Sequence, residues 1–286
     1  MKKIILSADS TCDLDDCLKQ RYKVHCQPLH INLGNKQYED GVNITPDDIY
    51  DTYEKQRILP KTSAPNPKEY IDYFKQWIDQ GYEVVHISLG SGLSSSYQNA
   101  CIAAEELGNI YPVDSGNLST GMGLLVIEAA ERIAKGMPAA MPAAQISEEI
   151  NQLKLKVQAS FVIDKLTYLR EGGRCSAIAA FSANLLNIKP CIEVDPTSGN
   201  MNVGKKYRGA LSKTLKRYTL DKLNERSDLK LDRIFITHSG TSSENIDIVK
   251  KTIEEVADFK ENTRHESWLY YIISLWTQYS WRIICD

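Results

Sequence analysis

Short apolar runs alternate with amphipathic stretches along the first half of the chain, and the alternation predicts strand, loop and helix in repeated order. Ile4 to Leu6 reads as a first strand, followed by the polar group Asp9, Ser10 and Thr11 and a helix over Leu14 to Leu18. Val84, Val85 and Ile87, with His86 among them, read as a buried strand that breaks into small and hydroxylated residues before the helical pattern of Tyr97 to Leu107. Ile110 to Val113, the loop Asp114 to Gly116 and a helix over Leu118 to Lys135 give the order a third time. Three β-loop-α units predict a parallel sheet with helices on both faces. Gly121 and Gly123 would let the last helix pack closely on that sheet.

Between these units, Val24 to Leu33 alternates around Pro28 as an edge or bent strand, and Gly34 and Asn35 turn it into a second short one. Thr45, Pro46 and Asp48 start a helix. Asn66 and Pro67 open an amphipathic helix with Tyr70, Ile71, Phe74, Trp77 and Ile78 on one face, so Thr62 and Ser63 fall on a proline-stiffened loop ahead of it. A helix over Ile146 to Lys154 closes the first of two expected domains, residues 1–156. The second, 157–286, starts with a strand at Val157 to Ile163 and the segment Asp164 to Arg174, followed by a helix over Ile178 to Leu186. A hairpin of Ile188 to Val194 with Met201 to Val203, a basic helix over Ala210 to Arg226 and a strand at Ile234 to Thr237 complete a mixed α/β pattern. His238 and Ser239 then fall in a strand-end loop, where His238 either touches a ligand or bonds backbone.

Composition narrows the function. A formal charge of -3 over 286 residues, without a long block of Lys or Arg, leaves no nucleic-acid footprint. Seven cysteines without a C-x-x-C pair or a matching histidine spacing fit reduced thiols in the cytoplasm better than a disulfide framework or a zinc site. The start, MKKIILSADS, is a first strand and not a signal peptide.

The candidate chemistry lies in the loop Leu89 to Ser96. A helix N-terminus carries unpaired N–H groups and a positive dipole end, so it holds an anion without a lysine. Ser91, Ser94, Ser95 and Ser96 add hydroxyl donors, and Gly90 and Gly92 let the backbone approach whatever binds. The plain alternative is that the serines cap the helix and the glycines make the turn. Asp9 to Thr11 fall at the carboxyl edge of the sheet, where open α/β folds bind ligands, although helix capping explains each of them singly. Gly172 and Gly173 predict a turn that presents the Arg174 guanidinium to a carboxylate or phosphate, or simply to solvent. No general base, metal cluster or phosphate-binding lysine loop stands out, and no cofactor is expected.

D-S-T at Asp9 to Thr11, T-S-A-P at Thr62 to Pro65, S-G-L-S-S-S-Y-Q at Ser91 to Gln98, V-D-S at Val113 to Ser115 and L-x-Y-L-R-E-G-G-R at Leu166 to Arg174 together resemble the DegV family, in its order and spacing. The resemblance implies a two-domain α/β fold, with a parallel-sheet N-terminal domain and a smaller mixed C-terminal one. It also implies a bacterial, cytoplasmic carrier that is not itself an enzyme. Such a carrier holds a long-chain fatty acid in an apolar tunnel and presents its carboxylate to the separate catalytic subunit of a fatty acid kinase, on the way to phospholipid synthesis, with room for transient membrane contact. Thr62 and Ser94 are then the hydroxyls that hold the carboxylate, with Ser63, Ser91 and Ser10 close by, and Arg174 lies near the opening where the kinase docks. Ala64 and Ser95 replace the family's usual Gln and Gly without removing a donor. The alternative is an enzyme on a small phosphorylated or carboxylated metabolite that uses the same loop as an anion site.

The tail from Glu261 departs from the resemblance. The family's usual ending has a histidine followed by Gly-Pro-Gly and Leu-Gly; here there is no glycine or proline after Glu261, and three of the four tryptophans crowd into Trp268 to Trp281. Tryptophan has one codon, TGG, so reading one base later places glycine at each of the three. With permitted codons the shifted frame reads H-C-G-P-N-T-L-G-V-L-F, close to the family ending, which points to a one-base insertion near Lys260 and Glu261. Two other readings stand beside it: a divergent strand pair, and an interfacial helix over Trp268 to Ile284 that Gln278, Ser280 and Arg282 interrupt.

Overall fold

The computed structural model describes residues 3–135, 141–164, 188–224, 227, 229–266 and 279–285. The chain forms two compact units, one built on Met1–Leu155 with Thr197–Gly199, the other on Lys156–Pro196 and most of the chain after Asn200.

The first unit is centred on four parallel strands, β1 (Ile4–Asp9), β2 (Val24–Gln27), β6 (Glu83–Ser88) and β7 (Ile110–Asp114), in the order β2-β1-β6-β7. Five of the six residues of β6 are buried, as a near-continuous apolar run in a covered parallel sheet requires. The chain leaves β1 for one neighbour, β2, and later returns to the other side as β6, so the ends of β1 and β6 flank the point where the strand order reverses. In open α/β sheets ligands bind outside the carboxyl ends of the strands at such a point.

α3 (Pro67–Ile78) shows why one helix lies where it does. Asn66 and Glu69 form a reciprocal capping box, with Glu69 N donating to Asn66 Oδ1 at 3.0 Å and Asn66 N to Glu69 Oε2 at 2.6 Å. Tyr70, Phe74 and Trp77, four and three positions apart, then face the core with Val84, Ala100, Ala103 and Ile110. α2 (Pro46–Gln56) starts with the same device, Thr45 against Asp48.

The stretch Val24 to Leu33 is not one bent strand. It breaks at Pro28 and Leu29 into β2 of the parallel sheet and β3 (His30–Leu33), the centre of an antiparallel sheet between β4 (Lys36–Glu39) and β5 (Lys61–Ser63). Proline has no N–H to give a ladder, so the chain changes sheets there. β5 also corrects the expected loop: Thr62 sits opposite Ile31 on an edge strand. The first helix, α1, begins at Asp16 and runs to Tyr22, because Asp15 caps it by accepting from Leu18 N at 2.7 Å. Gly123 packs on backbone after β1 rather than on the sheet. A Cβ there would lie 2.6 Å from the Cys12 carbonyl oxygen.

The second unit carries a six-stranded sheet in the order β10-β9-β8-β13-β11-β12, antiparallel except for β11 with β12. Its strands are β8 (Val157–Val162), β9 (Ile188–Val194), β10 (Met201–Arg208), β11 (Arg233–Ser239), β12 (Glu261–Glu266) and β13 (Tyr279–Cys285). β10 runs past the expected Val203 by shifting register before Lys206. Two helices, α6 (Leu211–Asn224) and α7 (Ser243–Val256), supply Leu215, Tyr218, Ile246, Val249 and Ile253 to its core. His238 and Ser239 end β11 as buried strand residues, not as an open loop. Tyr279–Cys285 is a strand between β8 and β11, which corrects the interfacial-helix reading for that part of the tail.

Candidate functional site

The serine loop follows β6, and its shape is set by two aspartates at the ends of neighbouring strands. Asp114, last residue of β7, accepts from Ser91 N at 3.0 Å and from Ser91 Oγ at 2.7 Å, and also from Gly116 N at 3.0 Å. Lys154 Nζ donates to the Asp114 carbonyl at 3.0 Å. Asp9, last residue of β1, accepts from Leu89 N at 2.8 Å and from the Tyr70 hydroxyl at 2.5 Å. The capping role expected of Asp9 is absent: its side chain makes no bond to the turn that follows. A buried carboxyl group at the centre of a parallel sheet finds better-placed donors across the sheet end than in a single helical turn.

Tyr70 extends this brace in both directions. Burial, and then the charge of Asp9, hold its hydroxyl well above the ordinary tyrosine range, so it stays protonated and donates. On one side His86, with no exposed surface, lies with Nε2 3.3 Å from Asp9 Oδ1 and Nδ1 2.9 Å from Ser7 Oγ, and Ser7 Oγ is 2.9 Å from the Tyr73 hydroxyl. Tyr70 and Phe74 meet the imidazole edge-on. On the other side the Ser96 hydroxyl bonds Tyr70, and Ser96 Oγ is 3.0 Å from Ser94 Oγ. Polar side chains therefore link Ser94, at the surface of the loop, to the buried end of β1.

Ser94 is half-buried and accepts from Ser96 N at 3.2 Å, which leaves its own proton to donate either to Ser96 or to an anion before the loop. α4 (Ser96–Leu107) starts directly behind it, and Ser95 at its N-cap makes no side-chain capping bond. The positive end of the helix is thus presented beside the Ser94 hydroxyl. Thr62 is half-buried on β5, and the loop after it is tied to α4 by Asn99 Nδ2, which donates to the Pro65 carbonyl at 2.7 Å. Ser63 is exposed beside it.

The remaining expected residues are engaged elsewhere. The Ser91 hydroxyl is given to Asp114. Ser10 accepts from Leu29 N at 3.2 Å and, with Asp40, lines a cavity of about 130 Å³ beside the turn after β1. A second cavity, about 250 Å³, is lined by Ile4, Leu6, Tyr22, Ala130 and Ile133; neither cavity is lined by Thr62 or Ser94. Gly90 packs on protein, since a Cβ would lie 3.0 Å from the Asn117 backbone and Gly199 covers it from another side. Arg174 and the helix expected over 178–186 lie outside the described residues. Sequence reasoning missed Tyr70 and His86 as partners of Asp9. A histidine inside an apolar strand was the one available signal.

No group of three or more His, Cys, Asp or Glu side chains is placed to hold a metal ion among the described residues, and no described helix is long and apolar enough to cross a membrane.

Fold and site together define a two-unit α/β protein with a hydroxyl-rich loop at the switch point of a parallel sheet. The chain belongs to the DegV family: the family model described as uncharacterised protein, DegV family, matches residues 3–270. A DegV domain-containing protein of Clostridium acetobutylicum is 32% identical over 267 residues, 91% of each chain. One from Clostridium perfringens is 34% identical over 211 residues, 73% of this chain and 74% of the relative. Among solved structures, the fatty acid binding DegV family protein of Streptococcus agalactiae is 26% identical, with a TM-score of 0.86 over 100% of this chain and 99% of that one. A DegV family protein from Thermus thermophilus, described for its fatty acid binding, shares the fold at 24% identity, with a TM-score of 0.86 over 99% and 100% of the two chains.

Proposed function

We propose that the protein binds a long-chain fatty acid, with its carboxylate held by Thr62 and Ser94 in front of α4, and presents it to the catalytic subunit of a kinase. One observation carries the reading: the Ser94 hydroxyl and the start of α4 lie side by side at the sheet's switch point, in a fold whose Streptococcus agalactiae relative is a fatty acid binding protein. A carboxylate taken out of water there needs donors, and two hydroxyls with a helix N-terminus supply them. The acyl chain supplies affinity, about 0.8 kcal/mol for each buried methylene, while the hydroxyls fix which end faces the kinase. Ser91 shapes the loop through Asp114 and Ser10 supports the turn after β1, so both act behind the ligand. Arg174 completes the reading as the contact for the kinase or the acyl phosphate.

Organic extraction of the purified protein, followed by mass spectrometry, tests the first part. The expected result is a fatty acid in near-equimolar amount, lost from a Thr62→Ala, Ser94→Ala double variant that still unfolds cooperatively. Protein that emerges empty and fails to take up added oleate would overturn it. For the second part, an Arg174→Ala variant should retain its lipid and lose delivery to an acyl-phosphate-forming kinase.

A further inference from the structure

The segment Thr197–Gly199 comes from the connection between β9 and β10, yet it packs as part of the first unit. Asp195 N donates to the Asn200 carbonyl at 2.9 Å and closes the connection into a turn. At its tip the Ser198 carbonyl accepts from Gly92 N at 2.9 Å. Gly199 is buried at φ +76° and lies against the serine loop, where a Cβ would stand 3.1 Å from Gly90 Cα and 3.5 Å from Gly92 N. What comes close to Gly90 and Gly92 is therefore backbone of the chain itself.

The rest of the loop is held from nearby. Gly90 N donates to the Asn117 carbonyl at 2.8 Å, Ser91 N to Asp114 Oδ1 at 3.0 Å and Leu93 N to the Gly90 carbonyl at 2.9 Å. These acceptors belong to the loop or to the end of β7 and the turn after it. Gly92 N, between them, takes its acceptor from the distant turn. A glycine peptide rotates more freely than any other, so a loop with two glycines keeps one shape only if each peptide is tied down. Ser94 follows Gly92 by two positions, and a rotation at Gly92 would carry the Ser94 hydroxyl away from the start of α4.

We propose that Ser198 and Gly199 are positioning residues for the serine loop. The Ser198 carbonyl fixes the Gly92 peptide, and Gly199, lacking a side chain, lets that carbonyl come within bonding distance. The Ser94 hydroxyl and the α4 N-terminus then stand in place before a ligand arrives, and binding does not have to order them. The role depends on the fatty-acid reading for the identity of the ligand, but not for the contact between turn and loop.

Two readouts on the full chain test this. Amide hydrogen exchange, followed by NMR, should show Gly92 protected in the parent and exchanging several-fold faster in Gly199→Ala, with the amides of β6 unchanged. Titration with oleate should show several-fold weaker affinity in the same variant. Gly199→Asn tolerates the positive φ but keeps a Cβ in the contact, so it should be weakened as well, and it serves where the alanine variant does not fold. Gly81→Ala is the control: at φ +79° with nothing within 4 Å, it carries similar backbone strain in the same unit away from the loop, and should bind oleate as the parent does. Parent affinity in a folded Gly199 variant, a Gly92 amide that stays protected in both, or an equal loss in Gly81→Ala would overturn the role. Parent protein that takes up no oleate would retire the fatty-acid reading alone, and exchange at Gly92 would then decide whether the turn holds the loop.

Discussion

Tyr70 donates to Asp9 at 2.5 Å from a helix to the end of a strand, and both groups are buried. Tyr70→Phe keeps the packing against His86 and Phe74 and removes only that donor, so the expected loss is about 1–3 kcal/mol in urea unfolding. Phe74→Ala, which empties part of the same core, should cost more, about 3–5 kcal/mol. If Tyr70→Phe were as stable as the parent, the hydroxyl would be no part of the brace. Asp40 behaves oppositely. Its folded carboxyl group holds its proton more tightly than the unfolded one, because burial penalises the charge. The unfolded chain therefore releases that proton first as pH rises. Its contribution to stability falls from the ordinary carboxyl range, about pH 4, until the folded group itself ionises. Asp40→Asn should accordingly raise the urea midpoint at neutral pH and change it little in acid; the same gain at both would exclude a titration origin.

Elements whose signals are local matched their sequence patterns. Thr45 with Asp48 and Asn66 with Glu69 carry their capping partners within four residues, so the starts of α2 and α3 follow from the chain itself. Thr45→Ala should cost about 1 kcal/mol, read by thermal unfolding, and a neutral result would mean that the fraying end of α2 carries no stability. Pairing was not legible in the same way. Nothing near Val24 to Leu33 says that its halves join different sheets, because a strand's partner is chosen by elements distant in sequence. α5 (Ser119–Lys135) packs on β1 and β6 as expected, but the place of its Gly123 was not legible. Gly123 clears the Cys12 carbonyl and not the sheet, so Gly123→Ala should displace the turn that carries Ser10 and cost about 1–3 kcal/mol.

At the scale of the whole molecule, the family match stops at residue 270, sixteen residues before the end of the 286-residue chain. That boundary falls within the tail whose tryptophans become glycines one base later. Resequencing the gene should reveal an extra base near the codons of Lys260 and Glu261. An uninterrupted frame in the source genome, with a native protein of matching intact mass, would retire the frameshift and make the tail a true divergence. β12 and β13 pair on either side of β11. Repairing the frame should leave the first unit's core unchanged and, in the fatty-acid reading, raise lipid retention if the family ending contributes to it. Extraction of both forms measures this.

By itself the sequence determined the periodic elements, the starts of α2 and α3, the parallel sheet of the first unit and the family. These rest on spacing and on residues a few positions apart, where physical chemistry acts along the chain. Only the tertiary structure decided which polar groups meet. Asp9, read as a cap, braces Leu89 and Tyr70, and Ser91 belongs to Asp114. Burial makes those partners necessary, since a polar group removed from water must be satisfied by whatever the fold brings to it.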